Sequence, residues 1–214
     1  MLIQRTANAG VLLKLDGVSI LLDGLCGQVG PYLATPAAVQ EQLLKEPAHL
    51  LAFTHGHLDH YSEALVSTYR KQTLRPILGP ENLPYVTDSK PMSVGGVKIT
   101  PVPSRHIGKV DKNLRHYSFL IEGSKRIWFP GDASPLQWQG REDIPKPDVI
   151  IGPYAWCLTE SAWRATCALT KDFVLLHMPE RNNDPALLWP AVEAVTKKEH
   201  SVLHLLEIGH TLNL

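Results

Sequence analysis

Apolar and polar residues alternate with a period of two, or run together in short blocks, over much of the chain, which is the pattern of β-strands. Val11–Leu15 reaches the turn pair Asp16-Gly17 and Val18–Leu22 follows it, which predicts a hairpin. Gly95-Gly96 predicts a second hairpin feeding Val97–Val102, and Gly123-Ser124 a third, pairing His116–Ile121 with Arg126–Phe129. His49–Phe53, Asp148–Ile151, Asp172–Leu176 and Val202–Leu206 read as further strands. Thr35-Pro36 reads as the N-cap and first-turn proline of a helix ending at about Lys45. Ser62 to about Lys71 and Asp184 to about Lys198 read as two more helices. Ile208 to Leu212 looks like a hairpin turn closing the fold. Hairpins in the first half with helices interleaved throughout suggest two sheets with helices packed outside.

Five of these strands run into a His or Asp: Asp23, His55, His106, Asp132 and His177. Residues at the same ends of neighbouring strands can converge, and loops on a rigid scaffold build sites in this way.

The length of 214 residues suits one domain spanning 1–214. With 21 basic and 21 acidic residues the net charge is zero, so nucleic acid is not favoured as a partner. Lys197-Lys198 reads as a solvated helix end. The three cysteines, Cys26, Cys157 and Cys167, are widely spaced and form no Cys-x-x-Cys pair. A disulfide framework is therefore not expected, and reduced thiols suit a cytoplasmic protein. The first residues lack the apolar stretch of a signal peptide, and no apolar run approaches the ~20 residues that span a membrane.

The densest chemistry lies in His55-Gly56-His57-Leu58-Asp59-His60. In an extended segment His55 and His57 point to one side, as two jaws. Asp59 and His60 follow, and a turn there would aim them at a neighbouring position. Gly56 would let the backbone turn tightly around an ion. Imidazole and carboxylate together suit zinc, iron or manganese better than calcium or magnesium. A helical H-E-x-x-H zinc protease is excluded, because the spacing differs and the cluster follows a strand.

The order Asp23, Thr54-His55-Gly56-His57-Leu58-Asp59-His60, His106, Gly131-Asp132 and His177 resembles the metallo-β-lactamase superfamily. The resemblance implies a four-layer αββα sandwich of two mixed sheets flanked by helices, with metals at one edge. It implies that His55, His57 and His106 hold a first metal, and that Asp59, His60 and His177 hold a second. Asp132 would bridge the two, and Asp23 would support the metal loop from behind. For the last ligand His177, ending an apolar strand, is preferred over His210. His49, His116, His200 and His204 read as structural or surface histidines.

Two divalent ions, zinc first with manganese or iron as alternatives, would activate a hydroxide for attack on a small ester, lactone or phosphodiester. Asp59 and Asp132 would be the catalytic carboxylates, Asp59 orienting the nucleophile. Tyr61, Arg105, Tyr154 and Trp156 follow or adjoin the metal residues and are candidates for the substrate pocket; Arg105 could clamp an anion. Cys26 reads as a small core residue. The chain departs from the commonest zinc β-lactamases at His60 and Asp132, where those carry other residues. It lacks the basic helical region of glyoxalase II and the insertion of the tRNA-processing branch. It is most similar to small bacterial metallohydrolases akin to ascorbate-6-phosphate lactonases. The alternatives are an iron-dependent redox enzyme on the same fold, acting on sulfur or oxygen species, and a non-catalytic binding module.

Overall fold

A computed structural model describes residues 1–108, 113–197 and 202–214. Lys198, the expected end of the last helix, and His200 lie outside the described residues. The chain order is β1 (Leu2–Arg5), β2 (Val11–Leu15), β3 (Val18–Leu22), α1 (Ala37–Lys45), β4 (Leu50–Ala52), α2 (Glu63–Thr73) and β5 (Ile77–Leu78). There follow β6 (Met92–Val94), β7 (Val97–Pro103), β8 (Tyr117–Glu122), β9 (Arg126–Phe129), β10 (Val149–Pro153), α3 (Glu160–Leu169), β11 (Asp172–Leu176), α4 (Leu188–Thr196), β12 (Val202–Leu205) and β13 (Thr211–Asn213).

One sheet has the order β13-β1-β2-β3-β4-β5 and the other β12-β11-β10-β9-β8-β7-β6. Both are mixed: hairpins make β1–β3 and β6–β9 antiparallel, and crossovers make β3–β5 and β9–β12 parallel. The period of two sorts side chains between layers. Val11, Leu13 and Leu15 of β2 enter the core between the sheets, with Ile127 and Phe129 of β9 facing them from the other side. Leu12 faces outward and packs with Val39 and Leu43 of α1 and Val66 and Tyr69 of α2. Trp128 faces outward on the second sheet, in a cluster with Trp163 of α3 and Leu188 and Val192 of α4. The expected four-layer αββα sandwich is thus the fold.

The Asp16-Gly17 turn has φ of 50° and 79°, the left-handed pair that a two-residue hairpin requires. Other local expectations are corrected. Thr35 does not cap α1: Pro36 takes that position without a side-chain bond. The Thr35 hydroxyl instead donates to the Gly24 carbonyl (3.0 Å) and accepts from Cys26 N–H (2.9 Å), tying down the loop after β3. Asp184 does not begin α4 but reaches forward, its carboxylate accepting from the N–H groups of Leu188 and Trp189 at 2.9 and 2.8 Å. The tail turn closes no hairpin, because β12 and β13 lie in different sheets and β13 pairs with β1.

Candidate metal centre

Strand ends place the site. Asp23 follows β3, Thr54 and His55 lie just beyond β4, Asp132 follows β9 and His177 follows β11. Asp23, Gly131 and His177 have φ of 46°, 54° and 60°, so the chain turns sharply as each strand stops. At Gly131 a Cβ would lie 2.7 Å from the Thr54 side chain, so only glycine fits against that residue. His106 joins from beyond β7 through an isolated bridge to Ala133. His55, His60, Asp23, Asp59, Asp132 and His177 are buried; His57 and His106 are half-buried.

Hydrogen bonds fix which ring nitrogens face inward. Asp23 accepts from Thr54 N–H (2.8 Å) and, through its other oxygen, from the Thr54 hydroxyl (2.6 Å). That second oxygen also lies 2.8 Å from His60 Nδ1, which donates to it. The Thr54 proton is committed to Asp23, so the 3.0 Å contact with His55 has Nδ1–H donating to the threonine oxygen. His106 Nδ1 donates to the Ile107 carbonyl at 2.5 Å. Thus His55, His60 and His106 each hold their proton on Nδ1 against an outer partner, leaving the Nε2 lone pair for the centre. Metal-holding histidines commonly show this arrangement.

The inward atoms converge. Asp132 has one oxygen 3.5 Å from His60 Nε2 and the other 3.3 Å from His106 Nε2 and 3.6 Å from His177 Nε2. His177 Nε2 is 3.0 Å from Asp59, and His55 Nε2 is 3.0 Å from His57 Nδ1. Three sets of donor atoms each fall within 4.8 Å: His55, His57 and His106; His55, His60 and Asp132; Asp59, His60 and His177. His60 Nε2, His106 Nε2, Asp132 Oδ1 and both His177 nitrogens are buried without a properly angled hydrogen-bond partner. Buried polar atoms are rarely left so, and clustered lone pairs of this kind fit divalent cations.

Electrostatics agree with that fit at His55, His57, Asp59 and Asp132. Burial pushes the His55 and His57 imidazoles down, towards the neutral form a cation requires. Burial opposes ionisation of Asp132, but His177 and His60 outweigh it and hold the carboxyl well below the usual range. Asp59 is lowered too, burial being outweighed by its contact with His177. His60 moves the other way: burial disfavours its charge, yet Asp132 and Asp23 raise it well above the usual value. A cation at His60 Nε2 would compete with that proton.

Several expected neighbours lie elsewhere. His210 is exposed, its nearest carboxylate being Glu207 at 3.9 Å, whereas His177 is inside the cluster. Tyr61 is not in a pocket wall: it is buried edge-on against Phe53 and donates to the Pro84 carbonyl. Trp156 is fully buried under α3, and its indole N–H donates to the Ala133 carbonyl at 2.5 Å. Its ring thus packs in the core and its one N–H is committed to that carbonyl. Trp156→Phe is expected to cost about 1–3 kcal/mol by stranding that carbonyl, read as a lowered urea midpoint with unchanged metal content. Gly56 makes room for Leu83, which a Cβ would meet at 2.7 Å, and its φ is not left-handed. Arg105 is exposed, its backbone clasped by Gln137 through bonds of 2.8 and 2.6 Å. Tyr154 is half-buried with its ring 6.0 Å from that of His177. Cys26 is buried, as a core residue should be.

Two neighbours were not foreseen. Tyr32 stands edge-on to His177 at 4.6 Å, and only the glycine-rich loop around it hinted at such an approach. His116 is structural, yet it touches the centre: its Nε2 accepts Asp132 N–H at 3.1 Å, and its ring lies 4.9 Å from that of His55. Its Nδ1–H then donates to Ser104 (2.7 Å), which bonds Ser118 (2.9 Å), which donates to the Pro130 carbonyl (2.9 Å). This one-way chain anchors the segment that carries Asp132.

An αββα sandwich with His and Asp residues gathered at the strand ends along one edge defines a class of protein. The chain belongs to the beta-lactamase superfamily domain family, whose model matches residues 3–176. No curated protein matches it. Among solved structures it is similar to Igni18, a metallo hydrolase from the archaeon Ignicoccus hospitalis, with 18% identity, TM-score 0.68, and coverage of 99% of this chain and 97% of that one. A possible metal-dependent hydrolase from Veillonella parvula matches with 16% identity, TM-score 0.72, and coverage of 100% and 99%. CmlA, a diiron β-hydroxylase from Streptomyces venezuelae, matches with 15% identity and TM-score 0.66; all of this chain covers 54% of CmlA.

Proposed function

We propose that the chain is a metal-dependent hydrolase of a small ester, lactone or phosphodiester, acting as a single domain over residues 1–214. The observation that carries this reading is the Asp132 carboxylate, which lies within 3.3–3.6 Å of His60, His106 and His177 and so touches both candidate ligand sets. His55, His57 and His106 would hold one ion, Asp59, His60 and His177 the other, and Asp132 both. Bound zinc supplies a water acidified to a pKa of about 7 and a Lewis acid for the oxygen that gains charge. The protein's part is to fix the donors and to move the proton. Asp132 sets the spacing of the two sets. Asp59, ionised and only partly bonded by His177, orients the attacking water and accepts its proton on a carboxylate oxygen. Tyr154, half-buried near His177, and exposed Arg105 are the proposed contacts to substrate.

Iron is the competing metal, since CmlA is a diiron hydroxylase. The reading is tested with zinc-loaded protein against a lactone, a thioester and bis-p-nitrophenyl phosphate. Turnover on one class is expected; none on any would overturn the proposal in favour of a binding module. His177→Ala should lose about one of two ions while His210→Ala keeps both, measured by elemental analysis. The reverse result would reassign the last ligand.

A further inference from the structure

A concavity of about 820 Å³ lies beside the candidate metal centre. That volume is within the ~300–1,000 Å³ of small-molecule sites. None of the proposed metal-holding residues lines it, but it adjoins them: Met178 follows His177, and the Asn8 carbonyl accepts His177 N–H at 3.1 Å.

Its inner wall carries a buried cation. The Arg5 guanidinium donates from Nε to the Ala7 carbonyl (3.1 Å), from Nη1 to Leu206 (2.8 Å), and from Nη2 to Asn8 (3.3 Å) and Met178 (3.2 Å). A guanidinium has five N–H groups, so one remains. Carbonyls solvate the charge without neutralising it, and Arg5 is absent from the ion pairs among the described residues. Burial lowers its pKa to about 10, against the smaller opposing influence of Cys26 and of the exposed Glu207 carboxylate, and so still leaves it charged at neutral pH. Beside it, Asn8 is 1% exposed, and neither its carboxamide oxygen nor its nitrogen has a partner. A buried cation next to an unpaired amide is a site built for an acceptor-rich group.

The rest of the lining is mixed, with Leu33, Met178, Leu206, Ile208 and Trp189 supplying an apolar stretch beside Glu180, Arg181, Asn182 and Glu207. The acidic members, Glu180 and Glu207, are exposed, and Arg181 lies over the Trp189 ring at 4.0 Å, paired with Glu193.

We propose that this cavity binds a small organic anion, its carboxylate or phosphate meeting Arg5 and Asn8 and its apolar body lying against Met178, Leu206, Ile208 and Trp189. The site stands on this lining alone and does not depend on the reaction of the metal centre.

The test is calorimetric titration of the zinc-loaded full chain with 4-phenylbutyrate, 2-phenylethyl phosphate and neutral 4-phenylbutyramide. At least one anion is expected to bind with Kd below about 1 mM, and at least ~10-fold more tightly than the amide. The better of the two anions identifies the head group. Asn8→Ala removes no hydrogen bond made by the side chain, so folding should tolerate it, while anion binding weakens ~5–30-fold. Ile208→Trp fills the cavity and should abolish binding with metal content unchanged. Equal binding of amide and anions, or no binding at 10-fold above that Kd, about 10 mM, would overturn the proposal. So would binding that both variants leave intact, since the anions would then sit on the metals.

Discussion

Asp132→Ala is expected to empty both halves of the metal centre, leaving under about half an ion per chain and lowering hydrolysis by at least ~10³-fold. The reason lies in the geometry of one carboxylate. Its oxygens lie 3.5 Å from His60 and 3.3 and 3.6 Å from His106 and His177, so among the described residues no other carboxylate lies so close to members of both candidate ligand sets. Without it, Asp59 is the one carboxylate left among the proposed ligands to offset two divalent ions. Asp132→Asn keeps the shape and one acceptor but not the charge, and should fall between wild type and alanine. Metal content is read by elemental analysis after dialysis, with far-UV circular dichroism confirming the fold. An alanine variant that keeps two ions would remove Asp132 from the bridging role.

The second large effect is expected at Asp23, which would touch no metal. Its two oxygens accept three donors, Thr54 N–H, the Thr54 hydroxyl and His60 Nδ1–H. In Asp23→Asn, an amide N–H₂ placed where the second oxygen stands would face two donors. The nearest escape is for His60 to shift its proton to Nε2, which then points an N–H at the centre instead of a lone pair. Affinity of the second ion should fall ~10–100-fold, measured by competition with a chelator, while the first ion is held less changed. The opposite orientation of the amide would strand Thr54 N–H instead, so neither rotamer satisfies all three donors. Unchanged affinity for both ions would mean that His60 does not depend on Asp23 for its tautomer.

Much of this was legible in the sequence, for physical reasons that can be named. Hairpins announce themselves where a turn demands a left-handed pair, as at Asp16-Gly17. The His55–His60 run and the strand-end residues were legible because a sheet's period and its ends constrain where a polar residue can sit. Helix α3 was not foreseen. Its segment, Glu160–Leu169, is rich in strong helix formers (Glu160, Ala162, Arg164, Ala165, Ala168 and Leu169) and buries Ala162, Trp163, Ala165 and Thr166. A second signal was Thr159, whose hydroxyl accepts Ala162 N–H at 3.2 Å as an N-cap. Thr35 showed the opposite failure, a good capping residue used to pin a loop. Trp156 and Tyr61 are pocket candidates in the sequence because they follow site residues, with aromatic core the stronger reading around Trp156; sequence adjacency says nothing about which side of the sheet a ring faces, and both rings lie in the core. Tyr32 and Asn8 could not be placed at all, since they lie in two separate loops, after β3 and between β1 and β2, that carry no regular pattern.

We propose that seven residues from both sheets hold two divalent ions, which is tested most directly by elemental analysis of protein purified without added metal, beside the His57→Ala variant. The expected result is about two ions per chain, mainly zinc, with the variant losing the first ion and its activity together. A single iron per chain, or two ions retained by His57→Ala, would contradict it.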